Sequence, residues 1–190
     1  SHPHVSQSGR IAVVHNGIIE NYLTLRQRLQ TKGVRFLSET DTEVVAQLVD
    51  YYYKDDIMDA VTKALSRLEG SYALGILCVD CPDQIIAARK DGPLVLGYGD
   101  GCNFLASDVT AVIKHTRDVS YMEDGEIAVL TADSIKVYDS LLNPVEKEHF
   151  TVDWEISAAE KGGYEHFMLK EIMEQPDALR KCLFPRIKNH

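Results

Sequence analysis

The second half of the sequence constrains the fold most, because from residue 71 onward it consists of short strand-like runs separated by tight turns. These runs come in pairs around short turn signals: SYALGILCV and QIIAARK flank CPD, PLVLGYG and NFLAS flank DGC, and IAVLTA precedes SIKVYDS. Strands joined by such short connections pair antiparallel. Since helices and strands come in separate groups rather than in strict alternation, the sequence predicts an α+β fold with a largely antiparallel sheet.

The first 70 residues predict a strand followed by helices. A buried strand is predicted over residues 10–15, followed by a His-Asn-Gly turn. Apolar residues at helical spacing predict a helix that ends at Gly33, a second from about Thr42 and a third from about Asp56. VRFLSE predicts a short strand between the first two helices.

The remaining segments carry weaker patterns. VTAVIKHT predicts a short helix, and residues 146–163 predict a loop. HFMLKEIMEQPDALRKCL predicts a helix that is interrupted at Pro176, because proline lacks the N–H and clashes with the preceding turn.

Length and charge exclude several functional classes. With 190 residues, 45% of them hydrophobic, the chain suits one soluble domain. The net charge of −9 is spread along the chain, and without a basic stripe we expect no nucleic-acid partner. No apolar run reaches the ~18–20 residues that a membrane span needs, and no signal-peptide pattern opens the chain, so we expect a cytoplasmic protein.

The cysteines leave two interpretations open. Only Cys78 and Cys81, in CVDC, are closely spaced. A zinc site needs further Cys or His ligands at comparable spacing, and a redox pair should open a helix. Because Cys81 is followed by Pro-Asp, the pattern favours ordinary strand-end thiols, and no metal is expected.

The pair Asn16-Gly17 also has two interpretations. Asn-Gly is a frequent tight-turn pair that tolerates positive φ. Alternatively, an Asn side-chain NH₂ and a neighbouring Gly N–H form an oxyanion hole, in which preorganised donors stabilise the charge that develops in acyl transfer. Glycine would also let a substrate approach the backbone closely.

The segment SETDTEV combines a helix start with a carboxylate. Thr40 and Glu43 fit the capping box, in which each side chain bonds to the other's backbone N–H. Asp41 is favourable beside the helix dipole, which explains it structurally. The functional alternative is that Asp41 holds a cationic group of a ligand.

The histidines and the first residue offer weaker candidates. His2 and His4 form a His-x-His pair, but without a nearby carboxylate a structural role is favoured. His15 is predicted to be a packed residue that shapes the turn. Ser1, with a free α-amine as base, has the form of an N-terminal nucleophile.

The order of these motifs along the chain resembles one family. HPHVS, VVHNGIIENY, SETDTEV, GSYALGIL, GPLVLGYG, NFLASD and KEIMEQP together resemble the glutaminase domain of the glutamine–fructose-6-phosphate aminotransferases, which are class II glutamine amidotransferases. The HNGIIEN and SDTE-like motifs occur across the class, whereas KEIMEQP resembles the sugar aminotransferases specifically.

The resemblance implies a fold and a set of site residues. The fold is that of N-terminal-nucleophile hydrolases, an αββα sandwich of antiparallel sheets. By position, the Asn16 side chain and the Gly17 N–H match the oxyanion hole, and Asp41 matches the carboxylate that binds the α-ammonium of glutamine. His2 matches a histidine with a supporting role at most. No cofactor is implied.

The sequence also departs from the family pattern. The catalytic N-terminal Cys and the RWATHG-like segment are absent from these residues, and Ser1 matches an interior position, which argues against Ser1 as the nucleophile. We therefore expect residues 1–183 to be a glutaminase domain that lacks its N-terminal strands, and residues 184–190 to begin a linker. Such a fragment should be inactive alone.

The resemblance extends to the parent enzyme. It implies that L-glutamine is hydrolysed and that a sugar-isomerase domain of the same polypeptide makes glucosamine 6-phosphate from fructose 6-phosphate, in a homodimer. Two alternatives stay open: an amidophosphoribosyltransferase-like enzyme of the same class, or a non-catalytic glutamine-binding or interaction module with this fold.

Overall fold

The computed structural model describes residues 2–153 and 163–187. It divides the chain into two compact units, Ser1–Thr151 and Val152–His190. Among these described residues, the first unit contains both sheets and three helices, and the second contains one long helix. The predicted loop over residues 146–163 falls partly outside the described residues. Its described part contains a short strand at Phe150–Thr151.

The first unit begins with strands and continues with helices, and the sequence predicts these elements except the short strand at His4–Val5. In chain order these elements are β1 (His4–Val5), β2 (Ile11–Ile19), α1 (Tyr22–Thr31), α2 (Asp41–Tyr52) and α3 (Ile57–Leu65). Gly33 follows α1 with φ +89°, which fits the predicted stop. The side chain of Asp56 caps α3 by accepting from the N–H groups of Met58 and Asp59.

The rest of the unit forms strands. They are β3 (Gly70–Cys78), β4 (Cys81–Lys90), β5 (Val95–Tyr98), β6 (Asn103–Ala106), β7 (Asp118–Tyr121), β8 (Ile127–Leu130), β9 (Ile135–Tyr138), β10 (Pro144–Val145) and β11 (Phe150–Thr151). The predicted helix over VTAVIKHT is only a 3-10 turn at Val109–Ala111, and β7 has no counterpart in the prediction. The turn of the β3–β4 hairpin is Val79-Asp80 rather than the predicted CPD, because Cys81 already pairs with Cys78.

The strands form two antiparallel sheets, which confirms the α+β prediction. Within the part of the chain that the structure describes, one sheet has seven strands in the order β1-β2-β3-β4-β8-β9-β10, and the other has four in the order β11-β7-β5-β6. Two apolar cores follow from the alternation along the central strands. Leu74, Ile76 and Ile86 pack with the three helices, whereas Ala73 and Ala87 pack with residues of the four-stranded sheet.

Two predictions for the first unit are wrong: a turn at residues 15–17 and a strand at VRFLSE. β2 continues through His15, Asn16 and Gly17, where the sequence predicts a turn, because all three residues pair in register with β3. VRFLSE is not a strand. The backbone N–H groups of Arg35, Leu37 and Ser38 bond to side chains instead.

In the second unit, α4 (Phe167–Ile187) passes through Pro176 without the predicted interruption. Proline removes the hydrogen bond to the carbonyl of Ile172. Ile172 is about half exposed, so water can satisfy that carbonyl and the helix can continue. Among the helices that the structure describes, none is both long and apolar enough to cross a membrane.

Candidate active site

The Asn16 side chain lies on the face of β2 that points away from the helices. Along β2, Ile11, Val13, His15 and Ile19 are buried, while Asn16 and Gly17 are exposed. The Nδ2 of Asn16 donates to the Oγ of Ser107, 3.1 Å away, just after the end of β6. Both residues line a cavity of about 140 Å³. An amide donor from one sheet therefore meets a hydroxyl from the other at an open cleft.

Gly17 occupies a position that only glycine can occupy. Its φ is +132°, and a Cβ built on it would lie 2.3 Å from the carbonyl oxygen of Ser71 on β3. An L side chain would be strained by the dihedral and would clash with backbone. The tight-turn interpretation is wrong for this pair, since the positive φ occurs within a paired strand.

Asp41 is the first residue of α2 and binds the end of β2. Its Oδ2 accepts from the N–H of Ile19 at 2.9 Å, and its Oδ1 accepts from the N–H of Thr42 at 2.9 Å. The carboxylate is half-buried. The residue that it binds, Ile19, lies three positions after Asn16 in β2.

His15 is a buried neutral group beneath the same segment. Its Nδ1 lies 3.0 Å from the Oγ1 of Thr42, whereas its Nε2 makes no hydrogen bond of ordinary geometry to the described residues. Burial lowers the pKa of His15, and Asp41 and the Ser71 carbonyl offset part of that effect. The imidazole is therefore neutral at neutral pH. The prediction that His15 is a packed residue fits its burial.

Glu43 connects the loop before α2 to the helix through hydrogen bonds. The N–H of Glu43 donates to the Oγ1 of Thr40 at 3.4 Å, which is one half of the predicted capping box. The other half is absent, because the Glu43 carboxylate accepts from the N–H groups of Leu37 and Ser38, at 2.7 and 2.6 Å. Burial raises the pKa of Glu43, but these hydrogen bonds and that of the Ser38 hydroxyl outweigh it and leave the pKa lowered.

The structure brings some predicted site residues together and leaves others apart. His2 lines the same cavity as Asn16 and Ser107, and its ring packs edge-on against His4, with 5.5 Å between centroids. Asp41 instead contacts the far end of β2. The sequence does not indicate Ser107 and Thr42 as site residues. Nothing in it shows that Ser107 contacts Asn16 or that Thr42 contacts His15.

Metal and thiol chemistry find little support at this site. Among residues 2–153 and 163–187, no group of three or more His, Cys, Asp or Glu side chains is arranged to hold a metal ion. Cys78 and Cys81 are free thiols, and their backbones occupy opposite positions in the β3–β4 hairpin. Burial raises the pKa of Cys81, which opposes thiolate formation.

Comparisons with known proteins bear on this arrangement. A family model described as a glutamine amidotransferase domain matches residues 1–114. Two curated relatives are named glutamine–fructose-6-phosphate aminotransferase [isomerizing]. The one from Caldanaerobacter subterraneus subsp. tengcongensis is 58% identical over 189 residues, which is 100% of this chain and 31% of the relative. The one from Clostridium perfringens is 54% identical, over 98% of this chain and 31% of the relative.

The fold has a counterpart among solved structures. Glutamine phosphoribosylpyrophosphate amidotransferase from B. subtilis superposes with a TM-score of 0.64 and 27% identity, covering 75% of this chain and 32% of that one. This likeness confirms the predicted N-terminal-nucleophile hydrolase-type fold with antiparallel sheets. The chain spans about a third of the length of the curated relatives that it matches.

Proposed function

The chain belongs to the glutamine amidotransferase family, and on that premise we propose that it forms part of the glutamine-hydrolysing domain of a glutamine–fructose-6-phosphate aminotransferase. The whole protein then makes glucosamine 6-phosphate from L-glutamine and fructose 6-phosphate. The ammonia passes to a sugar-isomerase domain of the same polypeptide, in a cytoplasmic homodimer that needs no cofactor.

The position of the Asn16 amide carries the proposal. Hydrolysis of the glutamine side-chain amide passes through a tetrahedral intermediate whose oxygen becomes negative. The Asn16 Nδ2 faces an open cavity at the cleft between the sheets, where its partner among the described residues is a neutral hydroxyl, that of Ser107. Together with the N–H of Gly17, it supplies two donors to that oxygen. Gly17 keeps the backbone bare, so that the substrate can approach it.

Asp41 and His2 have binding and supporting roles in this proposal. The Asp41 carboxylate is anchored by the N–H groups of Ile19 and Thr42, and it binds the α-ammonium of glutamine with its remaining lone pairs. His2, on the wall of the Asn16 cavity, supports the shape of the site. The nucleophile is a cysteine thiolate outside these residues, so the chain alone does not hydrolyse glutamine.

The first experiment removes the Asn16 donor in a protein that contains this chain and the nucleophilic cysteine. Asn16→Ala should lower kcat for glutamine hydrolysis by about 10²–10³, with a smaller effect on KM, because the donor acts mainly in the transition state. Asn143→Ala is the matched control, since Asn143 also donates one side-chain bond, to Asp139 in a distant hairpin. A raised KM with unchanged kcat would contradict the oxyanion role.

The second experiment tests the ammonium site. Asp41→Asn should mainly raise the KM for glutamine, because it removes the charge that binds the ammonium group. Asp50→Asn, in the same helix, is the control, because its carboxylate also accepts a hydrogen bond, from Ser8. An Asp41→Asn enzyme with unaltered KM would count against this assignment.

A second candidate is an amidophosphoribosyltransferase, which the likeness to the B. subtilis enzyme favours. The two candidates differ in the acceptor of ammonia. Purified full-length protein should form an amino sugar when glutamine is supplied with fructose 6-phosphate. Product formation with phosphoribosylpyrophosphate instead would establish the second candidate.

A further inference from the structure

The second half of β2 is held differently on its two sides. β3 pairs with β2 along its whole length, from Ile11 to Ile19. On the other side, β1 pairs only with Ala12 and Val13. Beyond that point, two side chains from the first turn of α2, Asp41 and Thr42, contact β2.

Those contacts lie on either side of the Asn16-Gly17 pair. Thr42 contacts the ring of His15 immediately before the pair, with 3.0 Å between Oγ1 and Nδ1. Asp41 accepts the N–H of Ile19 two residues after it, at 2.9 Å. The same Asp41 carboxylate accepts the N–H of Thr42, so the two contacts form one connected unit.

Both members of the Thr42–His15 contact are buried, at 5% exposure each. A buried hydroxyl and a neutral imidazole each lose hydration, and each is costly to leave unpaired. The Nε2 of His15 makes no regular hydrogen bond within the described residues, so the Nδ1 contact with Thr42 is the side-chain hydrogen bond that orients the ring there. His15 directly precedes Asn16 in β2, so the orientation of the ring bears on the position of the Asn16 backbone.

We propose that Thr42 and His15 are positioning residues for the oxyanion donors. The inference rests on the proposed function, because it assigns Asn16 and Gly17 the donor role. Oxyanion donors act only within a few tenths of an ångström of their working position, and misplacement by about 1 Å can cost about 10²-fold in rate. Loss of the Thr42 hydroxyl removes the contact with His15 before the donor pair and should lower kcat, while the substrate-binding carboxylate stays bound to Ile19.

The experiment measures glutamine hydrolysis by the full-length protein, with active sites counted by a glutamine analogue that alkylates the nucleophilic cysteine. Thr42→Val keeps the side-chain shape and removes the hydroxyl. It should lower kcat about tenfold and change KM by less than about twofold. Thr42→Ser restores the hydroxyl and should return kcat to within about twofold of the wild type. Thr62→Val is the matched control, because the Thr62 hydroxyl donates to Met58 in α3, outside the site.

Amide hydrogen exchange provides a second readout that needs no activity. In the isolated chain, Thr42→Val should speed exchange at Asn16, which pairs with Ala73 of β3, more than at Ala12, and Thr62→Val should not. A general loss of stability would instead raise exchange along all of β2.

The outcomes separate this inference from the proposed function. If Asn16→Ala lowers kcat but Thr42→Val does not, the positioning role is wrong and the oxyanion hole stands. If Thr42→Val lowers kcat and Thr42→Ser fails to restore it, the hydroxyl is not responsible, which also overturns the inference. If Asn16→Ala leaves kcat unchanged, the proposed oxyanion hole fails, and the positioning role fails with it.

Discussion

The two halves of β2 belong to one strand but are specified in different ways. In the first half, Ile11 and Val13 are fully buried under the helices, and strands flank that half on both sides. In the second half, residues 15–19 contain a buried imidazole, an amide at an open cavity and a glycine with φ +132°. There α2 supplies individual hydrogen bonds where β1 no longer pairs.

This difference separates what holds the fold from what makes the site. Apolar side chains of similar volume can replace one another in a core at modest cost. In a polar segment, by contrast, the loss of one hydrogen-bonding atom lowers function, because each donor or acceptor atom has a single partner. We therefore expect substitutions in the first half to change stability only, and substitutions in the second half to change activity as well.

The largest effect should come from Gly17→Ala. The new Cβ would lie 2.3 Å from the Ser71 oxygen at a positive φ, so strain and clash add. We expect a loss of about 4 kcal/mol in the free energy of unfolding, measured by urea denaturation of the chain.

Gly33→Ala is the control that separates the effect of a positive φ from the effect of a steric clash. Gly33 also has a positive φ, +89°, but no atom lies within 4 Å of the position of its Cβ. Its substitution should cost between about 1 and 2 kcal/mol. If both variants lose the same stability, the close approach of Gly17 to Ser71 does not constrain the second half of β2.

Much of the fold follows from the sequence, because apolar periodicity reports which face is buried. The helices at Asp41–Tyr52 and Ile57–Leu65 and the hairpins after residue 70 are examples. Their apolar faces and caps are local properties, so a single sequence contains them.

The wrong predictions occur where a distant side chain replaces a backbone partner. VRFLSE has the composition of a strand, but Glu43 and Gln47 bond its backbone through side chains. Asn16-Gly17 has the composition of a turn, but pairing with Ala73 and Tyr72 keeps it in the strand. Such contacts depend on tertiary structure, which the apolar periodicity of the sequence does not indicate.

The candidate site was predictable only in part for the same reason. The resemblance to a family indicates Asn16, Gly17 and Asp41. It does not indicate that Asp41 binds Ile19 or that Ser107 accepts from Asn16, because those residues are far apart in the sequence.

A smaller effect should appear in the pH dependence of stability. The pKa of His15 in the folded chain is lowered, mainly by burial, from its ordinary value of 6.5. Below that pH the unfolded chain binds the proton more readily, so the free energy of unfolding should fall as the pH drops from 7 to 5.5. One such group contributes at most about 1.4 kcal/mol per pH unit. At higher pH, both states are neutral at this position and the contribution is constant.

His15→Asn tests the origin of that slope. Urea denaturation at pH 7 and 5.5 should show a flatter dependence for this variant than for the wild type. His4, whose pKa is also lowered by burial but which is only half-buried, serves for comparison, and His4→Asn should flatten the slope less. Parallel wild-type and His15→Asn dependences would show that the second half of β2 holds no buried titrating group.

The smallest effect should come from the apolar positions, where the two halves can be compared with the same substitution. Ile11 and Ile19 are both fully buried at opposite ends of β2, so replacing either by Val removes one methylene group and should cost about 1 kcal/mol of stability. In the full-length protein, however, only Ile19→Val should lower kcat, because a shift of the Ile19 backbone would also move the donor pair, which ends two residues before it. Equal stability losses with unequal kcat would show that the halves differ in function rather than in packing. Equal kcat values would mean that the second half tolerates small shifts as well as the first, and that the separation between core and site within β2 is wrong.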